Sequence, residues 1–179
     1  MSKTIQILNA EEMDRALERL AFEVLERHVQ SEELGLVGIQ RRGVQIAERI
    51  KSILDERLGR DIPLGKLDIN LYRDDWTHLS SQPSINSTKI PFPIDDKDLI
   101  LLDDVLFTGR TVRAALEAIL DFGRPRRVEL LVLVDRGHRE LPIHPDFVGK
   151  KINSSREEQV DVLVQELDGK DEVILQSKP

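Results

Sequence analysis

Residues 99–111 read LILLDDVLFTGRT. Four aliphatic residues, Leu99 to Leu102, make a short, unbroken buried-strand signal. Two acids follow, then Val105, Leu106 and Phe107, then Thr108-Gly109-Arg110-Thr111. That last turn opens a helical pattern over 111–122, closed by Gly123. Strand, glycine-containing turn and helix in this order are half of a parallel α/β unit. Open parallel sheets bind ligands beyond the carboxyl ends of their strands. Free N–H groups at a helix start, with the Thr108 and Thr111 hydroxyls, suit a phosphate monoester. Asp103 and Asp104 would repel phosphate. They suit ribose hydroxyls, as acceptors, or the shell of a phosphate-bound Mg²⁺. The stretch therefore reads as sugar hydroxyls beside a 5′-phosphate. A surface acid pair with an ordinary helix cap is the bland alternative, and the full run is much more restrictive than either part alone. Walker A (GxxxxGK[ST]) and GxGxxG patterns are absent.

Working outward, residues 34–39 (LGLVGI) form another short apolar run, followed by Gln40-Arg41-Arg42-Gly43 and a helical pattern over 44–58 that Gly59 ends. Asn9 and Glu12 mark a capping box at the start of a helix running to about His28, with Met13, Leu17, Leu20 and Val24 on its apolar stripe. Residues 66–72 alternate and predict a strand. Residues 74–89 are polar, rich in serine and without a core period, which fits an active-site lid. A strand is expected over 127–134, and shorter ones near 147–152, 160–165 and 173–176. The expectation is one domain over 1–179.

Composition narrows the function. With no cysteine, a disulfide framework, a Cys-zinc site and a thiol nucleophile are excluded. The start of the chain lacks a secretory pattern and no apolar run reaches the roughly 18 residues of a membrane helix, so a cytoplasmic protein with no membrane partner is expected. A net charge of -7 argues against general affinity for nucleic acid. The charge is uneven, however: seven Arg/Lys against four acids over 124–151, then three against seven to the end. A local basic face is compatible with this.

The run LILLDDVLFTGRT resembles the phosphoribosyl-diphosphate (PRPP) motif of type I phosphoribosyltransferases. LVGIQRRG, DINLYRDD, LLDDVLFTGRTVRAAL, FGRPRRVELLVLVDRGHRELPI, DFVGKKI and a terminal strand together resemble the PyrR family. These are pyrimidine-operon regulators with uracil phosphoribosyltransferase activity. The likeness covers nearly the whole chain, and VDRGHRELPI is its most particular part. It implies an α/β fold: a Rossmann-like parallel sheet flanked by helices, with a small hood and a mobile β-loop. It implies conversion of uracil and PRPP to UMP and diphosphate, with Mg²⁺ bound through PRPP rather than by a protein cage. Asp103, Asp104 and Arg42 would carry catalysis. Asp103 and Asp104 would hold the ribose hydroxyls, and Val105, Leu106, Phe107, Thr108, Gly109, Arg110, Thr111 and Val112 would wrap the 5′-phosphate. Arg41, Arg42 and Gly43 would face the diphosphate, although without the resemblance that segment reads better as an ordinary turn with solvated arginines. Tyr72, Arg73, Asp74 and Asp75 would begin the closing loop. Arg136 and the backbone near Val160 would read uracil, UMP or UTP; Arg136 as a solvated charge is the alternative.

The family's leader-RNA surface is a basic concave face that includes the first helix. Arg19 and Arg27 of that helix keep the family pattern, and the basic surplus over 124–151 adds Arg139, Lys150 and Lys151 as candidate RNA contacts. Glu18 and Phe22 depart from the family pattern, which has Thr and His there. Phe22 would either stack on a base or pack in an oligomer interface, and a homodimer or higher homo-oligomer is expected. The rival readings are a purine or other nucleobase phosphoribosyltransferase without an RNA role, and a nucleotide-sensing RNA binder with residual catalysis.

Overall fold

A computed structural model describes residues 3–70 and 88–177. The chain runs β1 (Thr4–Leu8), α1 (Ala10–His28), β2 (Leu34–Ile39), α2 (Arg42–Leu58), β3 (Leu64–Leu67), β4 (Asp98–Leu106), α3 (Arg110–Leu120), β5 (Arg127–Asp135), β6 (Phe147–Lys151), β7 (Gln159–Leu163), α4 (Gln165–Asp168) and β8 (Glu172–Gln176). Five strands form one sheet in the order β3-β2-β4-β5-β6, every neighbouring pair parallel. This is the sheet that the apolar runs predict: strands covered on both faces read as continuous hydrophobic stretches.

Alternation along β4 divides the core. Ile100 and Leu102 face α1 and α2, joining Met13, Leu20, Ile46 and Ile50. Leu99 and Leu101 face the other way, joining Val112, Ala115 and Ile119 of α3. β1, β8 and β7 make a separate antiparallel sheet, the hood. Its Val160, Val162, Val173 and Leu175 pack into the α1–α2 side of the core. The capping box is present: Asn9 Oδ1 accepts from Glu12 N at 2.9 Å, and Glu12 Oε2 accepts from Asn9 N at 2.9 Å.

Several boundaries differ from expectation. β4 does not stop at Leu102; it pairs with β5 as far as Leu106↔Asp135, so both acids lie inside the strand. The strand expected over 66–72 is Leu64–Leu67, because its partner β2 ends at Ile39↔Leu67. There the chain turns, with Asp68 Oδ1 accepting from Asn70 N at 3.0 Å. Tyr72, Arg73, Asp74 and Asp75, with most of the expected lid, fall outside the described residues. Lys89, at the lid's far end, exchanges backbone hydrogen bonds with Lys66 at 2.7 Å. β1 was not anticipated, although TIQIL alternates. The strand expected over 160–165 is Gln159–Leu163, and the single turn α4 follows it.

Among the described residues no helix is long and apolar enough to cross a membrane.

Candidate active site

Strand order decides where the site lies. From β2 the chain passes through α2 to β3 on one side, and from β4 through α3 to β5 on the other. The order reverses between β2 and β4, and a crevice opens outside their carboxyl ends. A cleft of about 390 Å³ occupies that place. It is lined by Ile39, Gln40, Arg41 and Arg42 after β2, by Asp68, Ile69 and Asn70 after β3, and by Asp103, Asp104, Val105 and Thr111 of the β4–α3 unit.

Two helices, α2 and α3, start here. Neither α2 nor α3 has a side-chain cap, and neither has an acid in its first turn. Such ends favour anions through free N–H groups and the helix dipole. Gly109 stands immediately before α3, and its φ of 92° favours a glycine. Arg110 N leans on Thr108 Oγ1 at 3.3 Å. Gly43 is required for a different reason. A β-carbon there would stand 2.6 Å from the Leu102 carbonyl oxygen. Only glycine lets the 40–43 turn lie this close to β4. The Gln40–Arg41 peptide bond in this turn is cis.

The two acids are unequal. Asp103 is buried and Asp104 half-buried. Asp104 N donates to Asp103 Oδ1 at 2.9 Å, and Val105 N donates to Asp104 Oδ1 at 2.8 Å. Burial, then the neighbouring Asp104, push the Asp103 carboxyl well above the usual carboxylate range. The pair thus offers acceptors on one side of the cleft at less than two full charges. Arg41 and Arg42 supply positive charge on the other. Arg42 donates from Nε and Nη2 to Asp168 at 3.2 and 2.7 Å, which raises its pKa further.

Of the expected residues, the cleft brings together Arg41, Arg42, Asp103, Asp104, Val105 and Thr111. Phe107, Thr108, Gly109 and Arg110 form the adjoining turn, while Leu106 and Val112 are buried against the α3 side of the core. Gly43 acts by close approach. Arg136 is buried and engaged by the protein: its Nε donates to Ser154 Oγ at 3.2 Å and its Nη2 to the carbonyls of Ser155 and Glu158 at 2.7 and 2.8 Å. Its guanidinium lies 4.0 Å from the Phe107 ring centroid, and burial lowers its pKa. It is therefore not the solvated charge of the alternative reading. Val160 sits in β7 opposite Leu175, with its side chain in the core. Neither lines the cleft. Asp68 and Asn70, which do, have no role assigned from the sequence: they stand inside the strand predicted over 66–72 and in the run DINLYRDD that carries part of the resemblance. Asp168 left no signal, being 126 residues from Arg42.

The basic residues divide. Arg19 reaches the β6 carbonyls of Val148 and Gly149 and pairs with Glu23 at 2.6 Å. Arg27 lies over the Phe147 ring at 4.5 Å and pairs with Glu129 at 2.8 Å. Lys150 Nζ approaches the Ile7 carbonyl at 3.4 Å, and the exposed Lys151 ends β6. Arg139 lies elsewhere, folded into the turn after β5. It donates to Asp135 Oδ2 at 2.7 Å and to the carbonyls of Phe107 and Ile143 at 2.8 and 3.0 Å. Phe22 is 45% exposed, with the Arg57 guanidinium 5.0 Å from its ring centroid.

Comparison with known proteins agrees with this geometry. A family model described as phosphoribosyl transferase domain matches residues 3–166. The "Bifunctional protein PyrR" of Thermus thermophilus is 54% identical over 170 residues, covering 95% of this chain and 94% of that protein. The "Bifunctional protein PyrR" of Caldicellulosiruptor bescii is 53% identical over 176 residues, covering 98% and 97%. Among solved structures, a hypoxanthine phosphoribosyl transferase of Trypanosoma cruzi superposes with a TM-score of 0.71 at 13% identity, over 98% of this chain and 91% of that one. A hypoxanthine phosphoribosyltransferase of Staphylococcus aureus gives 0.65 at 23% identity, over 98% and 93%. At these identities the two structures speak for the fold alone.

Proposed function

The chain belongs to the PyrR family of type I phosphoribosyltransferases, and from that premise we propose that it joins uracil to the phosphoribosyl group of PRPP, releasing diphosphate and forming UMP. The reading includes a second role, in which uridine nucleotide in the same cleft governs binding to the leader RNA of a pyrimidine operon. One observation supports the chemistry above the rest. At the switch point of the sheet, an acid pair stands between two uncapped helix starts, with Arg41 and Arg42 beside it.

The reaction forms the bond from uracil nitrogen to the anomeric carbon and breaks the bond from that carbon to diphosphate. Diphosphate leaves with the electron pair, and the proton lost from the uracil nitrogen passes to the departing diphosphate or to solvent. A substrate spanning the cleft has its 5′-phosphate at the start of α3 and its hydroxyls on Asp103 and Asp104. Its diphosphate lies toward Arg41, Arg42 and the start of α2. Burial and the neighbouring Asp104 favour the neutral form of Asp103, a form that can donate a hydrogen bond as well as accept one. Positive charge that develops on the sugar ring is met by the Asp104 side of the cleft. Rate then comes from positioning and electrostatics, without a covalent nucleophile.

Mg²⁺ fits this donor set as an ion shared with the substrate. Among the described residues no three His, Cys, Asp or Glu side chains gather into a cage. One or two carboxylates plus substrate oxygens are the usual Mg²⁺ set, and Asp68 and Asp104 are the residues that would hold its shell. When bound, it would neutralise the departing diphosphate.

The RNA role draws support from Arg19, Arg27, Lys150 and Lys151 at the α1–β6 face. The relatives' name, bifunctional, fits two roles in one chain. The test uses one preparation. Nucleobase consumption with PRPP is measured for uracil, hypoxanthine and guanine, and leader RNA is titrated with and without UMP. UMP formation with little turnover of either purine is expected, with UMP tightening RNA binding. Turnover of purines alone would overturn the uracil reading, and flat RNA binding at low salt would remove the regulatory half. Sedimentation of the same sample reads the expected homo-oligomer.

A further inference from the structure

Two arginines of α2, Arg42 and Arg49, lie seven residues apart and so on one face of the helix. Both reach across to the hood's turn between β7 and β8. Arg49 donates from Nε and Nη2 to Glu166 at 3.0 and 2.7 Å, and from Nη2 to Asp171 at 2.7 Å. Arg42 donates from Nε to Asp168 Oδ2 at 3.2 Å and from Nη2 to Oδ1 at 2.7 Å. The two clamps look alike but differ in place: Arg42 lines the cleft, and Arg49 does not. Asp168 is itself anchored. Its Oδ2 accepts from Val164 N at 2.8 Å, and its own N–H donates to the Val164 carbonyl at 2.7 Å.

We propose that Asp168 is the positioning residue for Arg42, fixing the guanidinium so that its remaining donors are set for the diphosphate of PRPP. The inference rests on the reading of the cleft as a PRPP site. A guanidinium has five N–H donors in a rigid plane. The Asp168 fork takes Nε–H and one N–H of Nη2. Both N–H groups of Nη1 and the second of Nη2 make no hydrogen bond among the described residues. Holding one edge of a planar fork directs the opposite edge. It also removes the rotamer freedom of a long side chain before the ligand arrives. Because Asp168 belongs to the hood, the arginine at the diphosphate end is tied to the element that carries Val160.

Electrostatics alone gives the opposite sign. Without the Asp168 charge, Arg42 would be a freer cation and diphosphate would bind more tightly. Positioning requires weaker binding, so the sign of the change decides between them.

Inorganic diphosphate with Mg²⁺ is titrated calorimetrically into the full chain, and initial rates give KM for PRPP and for uracil. Asp168→Asn keeps an oxygen for Val164 N and removes the charged fork. Diphosphate affinity and KM for PRPP are expected to worsen about tenfold, the scale of losing an orienting partner, with KM for uracil little changed. In an Arg42→Gln background the same substitution is expected to add nothing. Arg49→Gln should lower the unfolding midpoint and leave KM for PRPP in place. Unchanged or tighter diphosphate binding in Asp168→Asn overturns the proposal, as does an equal loss in the Arg42→Gln background. If Arg42→Gln alone leaves diphosphate binding unchanged, the placement of diphosphate at Arg42 falls with it. If Arg42→Gln weakens binding and Asp168→Asn does not, only the positioning role falls. Should Asp168→Asn fail to fold, Asp168→Glu takes its place in the same cycle. Its carboxylate, one methylene further out, displaces the fork, so a loss that vanishes in Arg42→Gln supports the proposal and wild-type affinity overturns it.

Discussion

The two ends of β4 carry buried aspartates in opposite surroundings. At the amino end, Asp98 is 4% exposed, and Arg126 grips it with two bonds of 3.0 and 2.6 Å while Ser31 Oγ donates at 3.0 Å. Next to it, Glu129 of β5 is held by Arg27 and by the buried His28. At the carboxyl end, Asp103 is 6% exposed, and its hydrogen-bond partners are the amide and the side chain of its neighbour Asp104, with no cation among them. The same side chain responds in opposite directions. The bonds from Arg126 hold Asp98 below the ordinary carboxylate range, whereas burial and a like charge lift Asp103 above it. An acid whose counter-charge comes from its own chain ties the structure together. An acid left without one stores an unfavourable interaction that a ligand can relieve, and this end is the one that opens into a cleft.

The largest expected effect tests the amino end. Glu129→Ala leaves Arg27 and the buried His28 without their shared carboxylate. Unfolding in urea should show a loss of up to about 3 kcal/mol, the cost of leaving a buried polar group without its partner. PRPP affinity of the folded protein should be unchanged. A loss near zero would mean that these acids are no more structural than the pair at the other end.

Asp104→Asn reverses the pattern. The amide keeps an oxygen for Val105 N and loses the charge. PRPP affinity, read by calorimetry, should fall about 10–100-fold, since a hydrogen bond to a charged group contributes about 1.5–3 kcal/mol. Stability should not fall, because repulsion of Asp103 is relieved. A destabilised protein with intact PRPP affinity would erase the contrast between the two ends.

The smallest effect is a matter of pH. Asp98, with its pKa depressed in the fold, contributes stability that is complete above the unfolded value of about 3.9 and is lost as pH falls toward the folded value. Asp103, with its pKa raised, does the reverse: it costs nothing below about 3.9, and stability is lost as pH rises from there to the folded value. Urea unfolding from acid to neutral pH should therefore show Asp103→Asn gaining on the wild type as pH rises. Asp98→Asn should show a shallower acid limb. Parallel profiles for all three proteins would contradict the opposite directions of the two shifts.

Much of this arrangement was legible along the chain, and the reason is local. The apolar runs at 34–39, 99–102 and 127–134 are strands because continuous hydrophobicity needs cover on both faces, and the helical stripes in α1, α2 and α3 supply that cover. The capping box was readable because its partners are three residues apart. The acids and the turn from Thr108 to Thr111 sit in one continuous segment, of which Asp103, Asp104, Val105 and Thr111 line the cleft and Thr108 to Arg110 adjoin it. Gly43 could be recognised as part of a turn, though the contact that demands a glycine, a carbonyl of β4, lies in a distant segment.

What the sequence alone determined, then, is the class of fold, the order of its main elements and the short segments that border the cleft. Each of these depends on neighbours within a few residues. The tertiary structure decided which acids are neutralised and which are not, since the partners of Asp98 and Glu129 come from α1 and from the segment before β5. It decided that β4 runs through its acids, because β5 pairs with it that far. It also engaged Arg136 with the loop before β7 and Arg42 with Asp168 of the hood, across 126 residues of chain for the second pair. Side chains separated so far along a chain carry no mutual pattern in the sequence. Only the packing of the hood against the α1–α2 side of the sheet brings their charges within hydrogen-bonding distance.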